Sequence, residues 1–355
     1  MSLAQAKHQL DTIIRKSRVH LYKPIQIAEI LYQHRTGFPL AFHDLESYRN
    51  PSKKWRDDVT RQLVGRISTS SARFQDNLFE ANAMPPEFLA ELGAFNEQPE
   101  HSGIVEAYIY RSLGHRLGAV SEVRRFVETA TAETFRLRAM VDLFEHSPGL
   151  RRSIDKMYEI AVYALFATLV RALRVEVQVE IKNTDREIFN DFRPFIAMLT
   201  GIREPGARVS LTAALYRVGV TNAADRGLDM WSNFGTAVQV KHLTLDAELA
   251  ECIAEGIMAE GVVIVCRDAE KAAIDAILEQ VGWGQRIRGI VTLSDLEGWY
   301  ALCLGPKHRA VLGGQLLADI VREFIVEFPS LSVLEPFMHE RGYAAITLGG
   351  WEHAG

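Results

Sequence analysis

RGLDMWSNFGTAVQVKHL, residues 226–243, reads as a β-hairpin: a strand ending near Asp229, a turn around Asn233 and Gly235, and a second strand from Ala237 to Leu243. On the second strand Gln239 and Lys241 are two apart, so alternation puts both side chains on one face and turns Val238 and Val240 toward a core. Closing the turn through Gly235 brings Asp229 beside them. A carboxylate, an amide oxygen and an ammonium that converge in this way suit a hard divalent cation and a phosphodiester.

Working outward from the hairpin, the pattern predicts alternating helices and strands. Upstream, Ser153–Leu173 is apolar nearly all round and reads as a buried helix. Val175–Ile181 alternates cleanly, and a further strand covers about Val209–Val218. Downstream come a helix over Asp246–Met258, the all-apolar strand Val262–Val265, a helix over Ala269–Val281, the strand Ile287–Val291 and a helix over Ser294–Leu304. A short, wholly apolar strand belongs at the centre of a covered sheet. The order predicts an α/β fold, a mixed sheet flanked by helices.

The N-terminal part differs. Residues 3–16 and 24–35 read as helices, followed by a helix over about Lys53–Leu63 and helical pattern from Gly103 to Glu145. Ser147-Pro148-Gly149 is the clearest break, so the expected division is a mainly helical region, 1–147, and a catalytic domain, 148–355. Residues 1–75 hold 13 Lys and Arg against 6 Asp and Glu, a net +7, which leaves −12 for the rest of a chain of net charge −5. A basic head on an acidic body points to a polyanionic partner. Arg49, Lys53, Lys54 and Arg56 are candidate DNA contacts, with Lys53 and Arg56 expected at or near the helix surface. The clustered Ser70, Ser71 and Arg73 suit phosphates, and the loop Lys307-His308-Arg309 offers two more cations.

Composition limits the alternatives. At 355 residues and 48% hydrophobic, the chain buries a substantial core, and no apolar run reaches membrane-spanning length. Cys252, Cys266 and Cys303 lack metal-ligand spacing, and the N-terminus lacks a secretory pattern, so a cytoplasmic protein is expected. Walker, GxGxxG, HExxH and GxSxG motifs are absent.

Asp229 with Gln239-Val240-Lys241 resembles the PD-(D/E)XK nuclease pattern, with Gln where Glu is usual. In that pattern Asp229, Gln239 and the Val240 carbonyl hold the metal, Lys241 assists the attacking water, and Glu159 matches a supporting acid on the first helix. A rival is Glu180-Ile181-Lys182, a literal ExK whose nearest upstream acid, Asp155, lies on a helix. His242 falls on the opposite face from Lys241 and suits a structural role. More specifically, KPIQIAEILYQHR (23–35), YRNPSKKWR (48–56), STSSARFQDNLFEAN (68–82) and the opening hairpin together resemble the HaeII-type restriction endonucleases across nearly the whole chain. The resemblance implies a type II endonuclease with a PD-(D/E)XK core and an N-terminal DNA-binding region. It implies Mg2+ as cofactor, a short palindromic site in double-stranded DNA, GC-rich and RGCGCY-like, and a methyltransferase of matching specificity as functional partner. A palindrome in turn predicts a homodimer. The apolar stripe in 310–328 is either its surface or simply core. Two other readings stay open: a structure-specific or repair nuclease on the same core, and a non-catalytic regulator with helix 24–35 in a helix-turn-helix head.

Overall fold

The computed structural model describes residues 2–38, 40–68, 72–183, 185–217, 228–240, 259–266, 268, 275–276 and 287–352. Lys241, His242, Ser70 and Ser71 lie outside them, as do the expected helix over 246–258 and most of that over 269–281. The described residues form two compact units, one from the N-terminus to Tyr158 together with Ile320 onward, the other from Glu159 to Asp319. The break read at Ser147-Pro148-Gly149 lies within the first unit.

The first unit is helical. Helix α1 (Leu3–Lys16) starts with a capping box, Ser2 and Gln5 exchanging hydrogen bonds of 3.3 and 3.0 Å, and buries Ala6, Leu10, Ile13 and Ile14 along one stripe. Helix α2 (Tyr22–Arg35) is different: every residue from Pro24 to Leu31 is buried. Its five aliphatic side chains there stabilise the unit by about 1.5–3 kcal/mol each for the larger ones. This burial corrects the helix-turn-helix reading, because a helix enclosed by protein presents no face to a DNA groove.

Burial of α2 also encloses Gln26 and Glu29, and both are answered. Helix α3 (Glu46–Val64) buries Tyr48, Ser52, Arg56, Val59 and Leu63, spaced by three or four residues and thus on one face, with Thr60 beside them. Gln26 Nε2 donates to Ser52 Oγ at 2.9 Å, and Arg56 Nη1 donates to Gln26 Oε1 at 3.0 Å. Arg56 also reaches Asp57 at 2.6 Å and Gln75 at 3.0 Å. The expectation that Arg56 faces solvent is therefore corrected; at 2% exposure it is a buried cross-link between helices. Glu29 accepts from the Tyr110 hydroxyl at 2.6 Å and faces Arg341 at 3.4 Å. Burial raises the Glu29 carboxyl above its ordinary range against the pull of Arg341.

The second unit holds the strands. Five form one sheet in the order β3 (Leu215–Arg217), β4 (Met230–Ser232), β5 (Thr236–Val240), β6 (Gly261–Cys266), β7 (Ile287–Thr292). The first two pairings are antiparallel and the last two parallel, so the sheet is mixed. The hairpin is present, but β4 follows Asp229 instead of ending there. Gly235 makes the turn at φ +87°, where a Cβ would meet Glu260 at 3.0 Å. The alternating segment at 175–181, expected in the central sheet, instead gives β1 (Glu176–Glu180), which among the described residues pairs with β2 (Arg208–Thr212) in a separate two-stranded ribbon. Its half-exposed pattern explains this: a strand with one polar face does not suit a sheet covered on both sides. The long helix Ile154–Ala172 and helix Leu293–Leu304 accompany the sheet, linked by the Tyr300 hydroxyl to the Ala161 carbonyl at 2.8 Å. In the C-terminal stripe Leu312, Leu316, Ile320, Phe324 and Phe328 are at most 9% exposed and belong to the core, while Ile325 is 43% exposed. Among the described residues no helix is long and apolar enough to cross a membrane.

The placement of Arg56 is tested by stability. Arg56→Ala leaves Asp57, Gln26 and Gln75 without their shared donor, and denaturant unfolding should show a loss of about 3 kcal/mol. Lys54→Ala, at an exposed position of the same helix, should stay within about 0.5 kcal/mol of the parent; equal losses would contradict the assignment.

Candidate active site

Strand β5 is the third of five, and burial on both faces follows from that position: Ala237, Val238, Gln239 and Val240 are 1, 0, 2 and 6% exposed. The expectation that only Val238 and Val240 enter a core is thus corrected. Gln239 shares its face with Ala237 and, through cross-strand pairing, with Ile264, and that face carries the cluster Ala237, Val262, Ile264 and Cys266. A buried amide in apolar surroundings must find partners. Asp229 supplies one: Gln239 Nε2 donates to Asp229 Oδ2 at 2.7 Å. The same oxygen accepts the Val240 main-chain N–H at 2.8 Å, just beyond the last β4–β5 pair, Met230 with Val238. The carboxylate therefore closes the hairpin's open end as a side-chain clasp.

One atom is left over. Gln239 Oε1 is buried without a hydrogen-bond partner. Such an acceptor costs about 1–3 kcal/mol, which a bound donor or cation would recover. The donor set present there, a carboxylate, an amide oxygen and a main-chain carbonyl, consists of hard oxygens and fits a divalent cation of the magnesium or calcium type. It is poor in charge, and no group of three or more His, Cys, Asp or Glu stands together among the described residues.

The other predicted residues are distributed as follows. Glu159, on helix Ile154–Ala172, faces Arg217 at 3.6 Å with both side chains almost fully buried. Arg217 pairs in register with Met230, whose partner is Val238, and so lies on the sheet face opposite Gln239. The rival pair sits on the ribbon: Lys182 Nζ is 2.6 Å from Glu180 Oε2, and Arg208 is 3.4 Å away. The Lys182 hydrogen bond holds the exposed Glu180 carboxyl below its ordinary range. In the first unit Lys53 pairs with Asp76 at 2.7 Å and Arg49 with Glu46 at 3.2 Å, while Lys54 and Arg73 are exposed. Lys307 and Arg309 are exposed beside a π-helical turn, Arg309–Gly313.

The hairpin also carries a feature that sequence reading missed. Trp231 pairs with Ala237 and Tyr216 with Trp231, which places both aromatics on the Gln239 face of the sheet. Their rings stack at 4.4 Å and 25°, and they remain 42 and 45% exposed. The face that is closed over β5 and β6 is thus open over β3 and β4. The signal was available in the two-residue step from Asp229 to Trp231.

Comparison with known proteins completes the assignment. The sequence profile of the HaeII restriction endonuclease matches residues 6–343. The type II restriction enzyme NgoBI of Neisseria gonorrhoeae is 48% identical over 342 residues, 96% of each chain. The type II restriction enzyme HaeII of Haemophilus aegyptius is 45% identical over 340 residues, 95% of this chain and 96% of that one. No solved structure matches. The chain therefore belongs to the HaeII restriction endonuclease family and is a type II restriction endonuclease, a site-specific deoxyribonuclease.

The clasp makes a prediction about charge. Gln239→Glu sets a second carboxyl against Asp229, so one of the two must keep its proton, and its folded-state pKa rises above the unfolded value. A raised pKa contributes stability below the unfolded value, about pH 4.3, and loses it as pH rises. In metal-free buffer, thermal melts should show the variant falling progressively below the parent between about pH 4 and the raised value. Parallel curves would mean that the two side chains do not meet.

Proposed function

We propose that this endonuclease hydrolyses phosphodiester bonds at a short palindromic site in double-stranded DNA, with Asp229, Gln239 and Lys241 at the reacting centre and Mg2+ as cofactor. The single observation that supports the centre most is the buried, unpartnered Gln239 oxygen beside the Asp229 carboxylate. Asp229, Gln239 and the Val240 carbonyl would hold the cation. When bound, Mg2+ supplies Lewis acidity to the phosphate and lowers the pKa of a coordinated water. The Val240 N–H and the Gln239 amide fix the orientation of Asp229 before substrate arrives. Lys241, two residues beyond Gln239 in sequence, offsets the negative charge that gathers on the phosphorus oxygens. Glu159, with its partner Arg217 on the opposite face, is left out of the metal set.

Exposed Lys54 and Arg73 of the basic head, with Lys307 and Arg309, are the cations this reading assigns to the DNA backbone. The exposed Tyr216–Trp231 stack offers an apolar rest for a sugar or base beside the clasp. The GC-rich, RGCGCY-like target and a protecting methyltransferase follow from the family resemblance. The cleavage test compares four variants on sequenced plasmid DNA. Asp229→Ala and Lys241→Ala should abolish discrete fragments while retaining DNA binding in gel shifts, and Glu180→Ala and Lys182→Ala should cut at the parental positions. The reverse pattern would move the centre to the ribbon. Smears or flap cleavage from the parent would favour a structure-specific nuclease.

A palindromic target calls for two copies, and most of the C-terminal stripe is buried. Within helices Arg186–Asp191 and Arg193–Thr200 and the residue between them, Ile188, Phe192, Phe195, Met198 and Leu199 are 49–81% exposed. Apolar side chains concentrated this way mark an interaction surface, and we assign it to the homodimer. Phe195→Glu should halve the mass measured by sedimentation at micromolar concentration and leave the melting temperature unchanged. A variant that keeps the parental mass would remove this face from the interface.

A further inference from the structure

The first unit contains a cavity of about 760 Å3 that the cleavage chemistry does not use. Its size lies within the range of small-molecule sites. At its edge the chain turns into α2 through Leu21, a non-glycine residue held at φ +47°. That left-handed conformation costs on the order of 1 kcal/mol and persists only where the surroundings enforce it. It sets His20 and Tyr22 side by side, their rings parallel within 7° at 5.5 Å. Both line the cavity, and both present a buried polar atom without a partner, His20 Nε2 and the Tyr22 hydroxyl. His20 is only 4% exposed, and burial lowers its pKa to about 4, so its ring is neutral at physiological pH. Burial likewise pushes the Tyr22 phenol up to about 12. Two neutral hydrogen-bonding groups, stacked in parallel, therefore line the cavity, and the His20 ring also meets the Glu327 main chain.

The rest of the lining adds charge and a second aromatic surface. Phe74 is 55% exposed and carries the Lys23 ammonium 4.4 Å from its ring centroid. Arg18 and Arg56 also line the cavity, against a single carboxylate, Glu80. The first turn of α2 has no side-chain cap, which leaves the Tyr22 and Lys23 N–H groups without an intrahelical acceptor.

We propose that this cavity is a nucleotide-binding pocket. The base lies against Phe74 and the His20–Tyr22 stack, hydrogen-bonded by His20 Nε2 and the Tyr22 hydroxyl. The phosphate meets Arg18, Lys23 and the open turn of α2. Aromatic faces, neutral edge-reading groups and cations are the three things a nucleotide requires. Two sources share this chemistry: a nucleotide turned out of bound duplex, and a free mononucleotide. The first source rests on the endonuclease reading; the second does not.

Both are tested on the full-length protein. Titration calorimetry with dAMP, dGMP, dCMP and dTMP probes the free nucleotide. Duplexes carrying 2-aminopurine at successive positions of the mapped cleavage site probe extrusion, which raises fluorescence at one position. Phe74→Ala should weaken the positive signal about tenfold, the effect of one lost stacking contact. Tyr22→Phe should also weaken it, with an unchanged or higher melting temperature, because the hydroxyl it removes has no partner in the fold. Saturable binding of a mononucleotide supports the free source, and a position-specific fluorescence rise supports extrusion. Absence of both, in a protein that still cuts plasmid at fixed positions, overturns the pocket and leaves the endonuclease reading standing. Signals unchanged in both variants overturn the location, and a lower melting temperature for Tyr22→Phe overturns the claim that its hydroxyl is unpartnered.

Discussion

The clasp at the end of the hairpin is the constraint on which the second unit turns. Strand β5 lies between an antiparallel and a parallel neighbour, and both of its faces are closed. A central strand normally carries apolar residues at every position, and beyond the half-buried Thr236 at its start β5 does so except at Gln239. One polar side chain at 2% exposure would weigh against the sheet by a few kcal/mol if it were alone. Asp229 reduces that cost by accepting from both the Gln239 amide and the Val240 main chain. The turn at Gly235 sets the register that allows it: Met230 opposite Val238 brings Asp229 opposite Gln239. Moving the pairing by one residue would place the carboxylate against Val238 or Val240 and leave the amide stranded.

The first unit solves a similar problem with more partners. Helix α2 is enclosed, and its Gln26 and Glu29 are met by Ser52, Arg56, Tyr110 and Arg341. Glu106 is held in the same way, by Arg35 at 2.9 Å and Asn96 at 2.8 Å. Each of these groups is short of water and pairs with a residue distant in sequence, so the network fixes which helices meet more than it adds stability. Burial takes one cation, Arg56, and one carboxylate, Glu29, from the surface of the basic head, so its net charge there is unchanged. The cations that face solvent include Lys54 and Arg73.

Much of this was legible in the sequence where one physical signal dominates. The apolar run at Ser153–Leu173, the short strands at Val262–Val265 and Ile287–Val291, and the glycine turn of the hairpin each follow from periodicity or from a backbone conformation that glycine favours. The clasp itself was legible because alternation is strict over two residues. Reading failed where tertiary context decides. Arg56 looks like a surface cation by composition, but the stripe Tyr48, Ser52, Arg56, Val59 and Leu63 turns it inward. Val175–Ile181 alternates well, yet alternation marks a half-covered strand, and the central sheet wanted strands covered on both sides. Trp231 stands two residues from Asp229 and so shares its face, but a lone aromatic at that spacing reads equally well as core.

An unpartnered buried atom is by itself a modest observation, since the fold leaves others, such as the Tyr343 hydroxyl and the Trp351 indole nitrogen. Company distinguishes the functional ones. Gln239 Oε1 belongs to the amide whose nitrogen donates to the Asp229 carboxylate. His20 Nε2 and the Tyr22 hydroxyl border an open cavity next to cations and an exposed ring, at a turn held in an unfavourable conformation. In each case the fold carries a cost of about 1–3 kcal/mol per orphaned group, and in each the missing partner can be described chemically from its neighbours. A cost kept where a ligand would relieve it is free energy withheld from folding and available for binding.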